Sequence, residues 1–181
     1  FTAIPEKEQN ALLEAVQPFL AAEGVTGIRI STRPDCITPE ILQRLQQFHV
    51  TAIELGAQSM QDVVLQNNHR GHTAQNVRNA AKWITDAGFS LGLQMMIGLP
   101  GETWASCQET AVKIAALKPD CVRLYPALVV EGTDLARWYR QGSYVPLTVE
   151  QAADSAAWLL RFFEDRKIAV IRIGLHAEKS L

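Results

Sequence analysis

Cysteine is scarce in this chain: Cys36, Cys107 and Cys121 are the only three in 181 residues. An odd, scattered set excludes a disulfide framework, and no two stand at the short separation of a metal site. Each reads as a small buried hydrophobe. An excess of one charge is lacking too. The formal net charge is −2, which gives no footing for a phosphate-backbone partner, since such binders carry a basic excess. No apolar run approaches the ~20 residues of a membrane span, and no basic segment leads into an apolar stretch and cleavage site. The reading is of a cytoplasmic protein with no membrane association. Repeats, low-complexity tracts and long linkers are missing as well, leaving one unit over residues 1–181, enough for a single core. The chain opens on Phe1, against what reads as a strand end, an opening that reads as a fragment boundary.

What is present is alternation. Apolar positions Leu12, Ala15, Val16, Phe19 and Leu20 follow Pro5 at one-face helical spacing, with Pro18 expected to kink or break the helix. A strand over 28–31 follows Gly24 and Gly27. Thr38-Pro39-Glu40 opens a second helix with the face Ile41, Leu42, Leu45 and Phe48. Further strands are expected at 51–56, 89–97, 121–125 and 168–173. Between them lie a helix capped by Thr73 and ended by Gly88, a helix from Trp104 to Leu117, and one opened by the capping box Thr148/Gln151. Such alternation predicts an α/β fold of parallel strands joined by right-handed helical crossovers, either a barrel or a doubly wound sheet.

Strand parity separates two faces. Arg29, Ser31 and Arg33 oppose Ile28 and Ile30; Glu54, Gly56 and Gln58 oppose Ile53 and Leu55. Gly92, Gln94 and Met96 oppose Leu91, Leu93, Met95 and Ile97, and Arg123 and Tyr125 oppose Val122 and Leu124. In a barrel the apolar faces pack on outer helices and the polar faces meet in a lumen. Ordinary β/α barrels fill that lumen with branched aliphatics. Here the polar groups need partners or a polar ligand. Two readings stand side by side: an internal ion-pair layer with Glu54 between Arg29 and Arg123, and a ligand site toward the strand carboxyl ends.

Five stretches then resemble one family. They are Ile30-Ser31-Thr32-Arg33-Pro34-Asp35, Ile53-Glu54-Leu55-Gly56-Ala57-Gln58-Ser59, Asn68-His69-Arg70-Gly71-His72-Thr73, Met95-Met96-Ile97-Gly98-Leu99-Pro100-Gly101-Glu102, and the run Leu124 to Thr133. In this order they are similar to radical S-adenosylmethionine (SAM) proteins, in the branch shared by the elongator catalytic subunit and oxygen-independent coproporphyrinogen oxidase-like proteins. The resemblance implies a partial (β/α)6 TIM-like barrel, truncated here at its N-terminal end, whose lumen holds SAM over a [4Fe–4S] cluster. The cluster's CxxxCxxC loop is absent from this chain, no cysteine here takes its place, and no metal ligand is assigned. Phe1-Thr2 resembles the tail of the family's second strand.

Carried over by position, the resemblance implies that Ser31 contacts the methionine part of SAM and that Gln58 reaches its ribose or methionine side. Arg70 pairs with the carboxylate, for which a guanidinium fork is suited. Gln94 stands where coproporphyrinogen oxidase-like relatives carry a ribose-binding aspartate. Met96 to Gly98 offers a surface for adenine, and Tyr125 to Leu128 completes that pocket. Arg33 lines the same lumen. No catalytic residue is assigned. His69 and His72, just ahead of a helix, read as capping or solvent-facing, and Trp104, Trp138 and Trp158 as helix packing. The implied partners are SAM and an unidentified substrate, with tRNA by family analogy only.

Two other classes remain. A non-radical β/α enzyme predicts a Schiff-base lysine or metal triad at strand ends, whereas Lys7, Lys82, Lys113, Lys118, Lys167 and Lys179 fall in helices, loops or the tail. A non-catalytic scaffold would keep the barrel without the cluster.

Overall fold

A computed structural model of the chain describes residues 1–20 and 24–174. Its sheet consists of β1 (Ile28–Thr32), β2 (Val50–Gln58), β3 (Ser90–Ile97), β4 (Cys121–Pro126) and β5 (Ala169–Ile173). All four pairings are parallel, and the strands lie in chain order. Sequential order has no switch point, which a doubly wound sheet requires. Right-handed crossovers that always advance the same way put every helix on one side. The arc of a barrel is therefore the architecture, open among the described residues at β1 and β5.

The helices are α1 (Glu6–Leu20), α2 (Pro39–Gln47), α3 (Asp62–Asn67), α4 (Ala74–Asp86), α5 (Trp104–Ala116), α6 (Asp134–Arg140) and α7 (Val149–Glu164), with a 3-10 turn at Pro34–Cys36. Thr38, Thr73 and Thr148 cap as expected, the last two in capping boxes with Asn76 and Gln151. The apolar strand faces, Ile30, Ile53, Leu55, Leu91, Leu93, Met95, Ile97, Val122 and Leu124, share one buried core with Leu42, Val77, Ile114 and Phe163 of the helices. That core is continuous from Leu13 to Ile168. The opposite sheet face carries no helix among the described residues and can hold the site.

Some expectations need correction. Helix α1 runs through Pro18 to Leu20, so the proline does not break it. Its buried residues are Gln9 and Leu13, while Leu12 and Phe19 are 54% and 63% exposed. A polar contact sets this phase. Gln9 Oε1 accepts from Arg44 Nη2 at 2.6 Å and its Nε2 donates to Ile4 O at 2.6 Å, so the amide rather than Leu12 turns inward. Strand β2 extends past Gly56 to Gln58. Phe1 and Thr2 are not a strand, yet they lie against the edge of β1: Phe1 N donates to Ser31 O at 2.7 Å and Thr2 N to Thr32 Oγ1 at 3.1 Å. Lys7, Lys82 and Lys113 lie on helices, and Lys118 and Lys167 precede β4 and β5 at their amino ends. Lys179 lies outside the described residues.

Candidate functional site

The helix-free face is built on Glu54, a carboxylate only 2% exposed in the middle of β2. Arg29 Nη1 from β1 donates to its Oε1 at 2.7 Å, and Arg123 Nη2 from β4 donates to the same oxygen at 3.0 Å. Arg123 Nε lies 2.7 Å from Oε2, off the axis of its own N–H. Gln94 Nε2 from β3 donates to Oε2 at 3.4 Å. Burial alone would raise the Glu54 pKa. The hydrogen bonds from Arg123 and then Arg29 outweigh it and hold the carboxyl below its ordinary value. The ion-pair layer is real.

One or two residues nearer the strand carboxyl ends, the same face opens into a cleft of ≈ 500 Å³. Ser31, Arg33, Gln58, Arg70 and Gln94 all line it, with Gly56, Thr32, His69 and His72 and the Phe1 and Ala3 edge. Five of the seven residues singled out in the sequence thus converge, from β1, β2, β3 and two loops. Met96 and Tyr125 do not line the cleft. They are register partners on the adjoining ends of β3 and β4, and Met96 packs against a small cluster of Val64, Leu99 and Ala127.

Gln58 owes its direction to an irregular backbone. The β2–β3 register slips between Gly56 and Gln58, and Gln58 sits at φ +63. Ser59 N donates back to Ala57 O at 2.7 Å, closing a γ-turn around Gln58. Positive-φ γ-turns are rare and strained. Gly56 leaves the room this needs, because a Cβ there would stand 2.8 Å from Gln58 Nε2. The side chain is buried, and its Oε1 has no hydrogen-bond partner.

Arg70 is set by the end of α3. His69 N donates to Gln66 O at 3.0 Å and Arg70 N to Leu65 O at 3.0 Å, with His69 at φ +51. This pair of reversed bonds is a Schellman motif, a fixed backbone frame. Asn68 Nδ2 ties the frame to Val64 O at 2.7 Å and to Pro100 O at 3.0 Å. Arg33, the other guanidinium in the cleft, is matched by Asp35 through bonds of 3.0 and 2.6 Å. Arg70 is half-buried and forms no ion pair or side-chain hydrogen bond with any described residue. Burial, and then the Arg33 charge beside it, lower its pKa from the ordinary value. A desolvated cation without a counter-charge is a demand for an anion.

His72 departs from the solvent-facing or capping role its place ahead of α4 suggests; Thr73 takes the cap. His72 is buried, and Nε2 lies 3.1 Å from Ala57 O. A carbonyl only accepts, so Nε2 is the donor of this bond, and Nδ1 is buried without a partner among the described residues. The sequence signal was its place two residues after Arg70; nothing in that spacing reveals the bond to Ala57.

Two family models match this chain, the Radical SAM superfamily over residues 2–114 and the Radical_SAM C-terminal domain over residues 119–181. The chain belongs to the radical SAM superfamily. A tRNA uridine(34) acetyltransferase of Methanocaldococcus infernus is 29% identical over 156 residues, covering 84% of this chain and 29% of that protein. The structure of the archaeal Methanocaldococcus infernus Elp3 with an N-terminal deletion aligns at TM-score 0.76 and 27% identity, over 81% of this chain and 35% of that one. Coproporphyrinogen III oxidase (HemN) from Escherichia coli, a radical SAM enzyme, shares the fold at TM-score 0.73 and 17% identity, over 91% of this chain and 38% of that one. The chain spans less than half the length of each. These likenesses agree with the branch read from the sequence motifs.

A radical SAM protein needs cluster ligands, and the described cysteines do not provide them. Cys36 lies in the 3-10 turn, Cys107 is buried on α5 and Cys121 opens β4. Among the described residues no group of three or more histidine, cysteine, aspartate or glutamate side chains could hold a metal. No described helix is long and apolar enough to cross a membrane. The cleft suits SAM better: it offers an unmatched guanidinium and polar side chains on a rigid sheet end, the place where β/α barrels bind ligands.

Proposed function

We propose that the strand-end cleft is the SAM site of a radical SAM enzyme, and that residues 1–181 form one barrel unit of it. The observation that carries this is Arg70, a half-buried cation with no side-chain partner among the described residues, in a cleft that also collects Ser31, Gln58 and Gln94. Arg70 receives the SAM carboxylate in a forked pair. Ser31 faces the methionine portion and Gln58 and Gln94 the ribose side, while Met96 and Tyr125, on the adjoining strand ends, bound the adenine region. Arg33, neutralised by Asp35, shapes the wall without competing for the carboxylate. Bound there, SAM and a one-electron-reduced [4Fe–4S] cluster would supply hydrogen-abstracting radical chemistry, with methionine released from SAM. The chain's own part is to fix the cofactor above the Arg29–Glu54–Arg123 cluster, two cations on one carboxylate that together stay net positive. The reading includes a cytoplasmic setting. A tRNA partner rests on likeness to the acetyltransferase alone.

The test is SAM binding and reductive cleavage by the full-length protein, reconstituted anaerobically. Wild type should bind SAM and release 5′-deoxyadenosine under reducing conditions. Arg70→Ala should weaken SAM binding by about tenfold or more, as expected for one charge-assisted pair. Undiminished affinity would remove Arg70 from the site, and no SAM binding by wild type would refute the assignment.

A further inference from the structure

The Gln94 amide could present either its oxygen or its nitrogen to the cleft, and the two choices recognise opposite ligand groups. Glu54 decides between them. Its carboxylate carries Arg29 and Arg123 hydrogen bonds, so it stays ionised and can only accept. Only the NH2 end of the amide can therefore face it, and Gln94 Nε2 lies 3.4 Å from Oε2. The amide carbonyl consequently points away from Glu54. Gln94 lines the cleft and makes no other side-chain hydrogen bond with a described residue. Its register partners are Gly56 on β2 and Arg123 on β4, so the amide is held on a rigid stretch of sheet.

We infer that Glu54 is a positioning residue: it fixes the Gln94 amide so that Oε1 faces the cleft and accepts a hydrogen bond from a ligand hydroxyl. The two arginines act through Glu54, since a protonated or rotated carboxyl would let the amide turn over. On the cofactor reading above, on which this inference rests, the hydroxyl belongs to the ribose. The site then selects a hydroxylated ligand over its deoxy analogue.

The experiment compares S-adenosylhomocysteine with its 2′-deoxy and 3′-deoxy analogues, by anaerobic calorimetry on the full-length reconstituted protein. Wild type should bind the parent about five- to tenfold tighter than at least one analogue, the loss expected for one net hydrogen bond. Gln94→Met should abolish that ratio. Gln94→Glu alone would set a second carboxylate against ionised Glu54 and is made only together with Glu54→Gln. Glu54→Gln removes the acceptor-only partner and should bring the ratio near one. The double variant Glu54→Gln/Gln94→Glu should restore the ratio, because its acceptor no longer depends on orientation. A folded Glu54→Gln protein that keeps the wild-type ratio overturns the positioning role. If Glu54→Gln alone does not fold, loss of the ratio in the double variant, whose carboxylate at 94 can only accept, still overturns the inference. Binding of the parent with no discrimination at all sinks this inference and spares the cofactor reading; absence of binding sinks both.

Discussion

His72 donates from Nε2 to the carbonyl of Ala57 at 3.1 Å, reaching back from the loop ahead of α4 to the end of β2. The same carbonyl accepts from Ser59 N at 2.7 Å, and the residue enclosed between them is Gln58 at φ +63. Two donors on one oxygen thus clamp a turn that an ordinary residue adopts only at a cost of about 1–3 kcal/mol. The strain is retained because it turns the Gln58 side chain toward the cleft.

That account separates backbone from side chain at one position. Gln58→Gly removes the positive-φ cost and should unfold at the same or higher temperature than wild type. Gln58→Ala keeps the cost without the side chain and should be less stable than the glycine variant by about 1 kcal/mol. Both should bind SAM more weakly than wild type. Thermal unfolding and anaerobic binding read the two effects separately. An alanine variant as stable as the glycine variant would show that the turn stores no strain.

The same turn shows how far the sequence could be read. Period-two parity placed Ser31, Glu54, Gln94 and Arg123 on one face correctly, because regular strands force alternation. Gln58 shares that parity and does line the cleft, but the register slip and γ-turn that aim it there are not contained in alternation. Helix ends were legible at Thr73 and Thr148, where capping chemistry is local. The phase of α1 was not, since the contact that turns Gln9 inward comes from Arg44 on another helix. His72 and Arg70 lie in one short loop, yet only the arginine was assigned a role; the acceptor for His72 is 15 residues away in sequence. Residues whose role depends on a distant partner escape local reading.

Gly92 is a prediction about packing. It is the register partner of Glu54, and a Cβ at that position would stand 2.6 Å from Glu54 Cγ and 3.3 Å from Cys121 Sγ. Glu54 cannot swing aside cheaply, because Arg29 and Arg123 hold its carboxylate. Gly92→Ala should therefore destabilise the fold by about 1–3 kcal/mol, read as a lower urea midpoint. Its displacement of Glu54 should also loosen Gln94. An alanine variant with an unchanged midpoint would mean that the ion-pair layer shifts freely.

Glu102 makes a prediction about pH. It closes the turn after β3: Oε2 accepts from Gly98 N at 2.8 Å, while Oε1 is buried without a partner. Burial is the main cause that raises its pKa to about 7, against hydrogen bonds from the Gly98 and Leu99 backbone that lower it. Cys107 on α5 and Tyr144 after α6 face it, and their own ionisation is opposed by burial and by the Glu102 charge. Asp154 on α7 lines the same cavity, on the helix side of the sheet. In an unfolded chain a glutamate titrates at ~4.3. Between that value and about 7 the folded protein holds a proton that the unfolded chain has released, so stability falls as pH rises through this window and stays lower above it. In a Glu102→Gln variant the side-chain amide can still accept from Gly98 N but never ionises. The variant should lie close to wild type at pH ~4.5 and exceed its stability by about 3–4 kcal/mol at pH ~8. Urea denaturation across this range checks the slope, and parallel wild-type and variant curves would mean that Glu102 ionises in the folded protein without penalty.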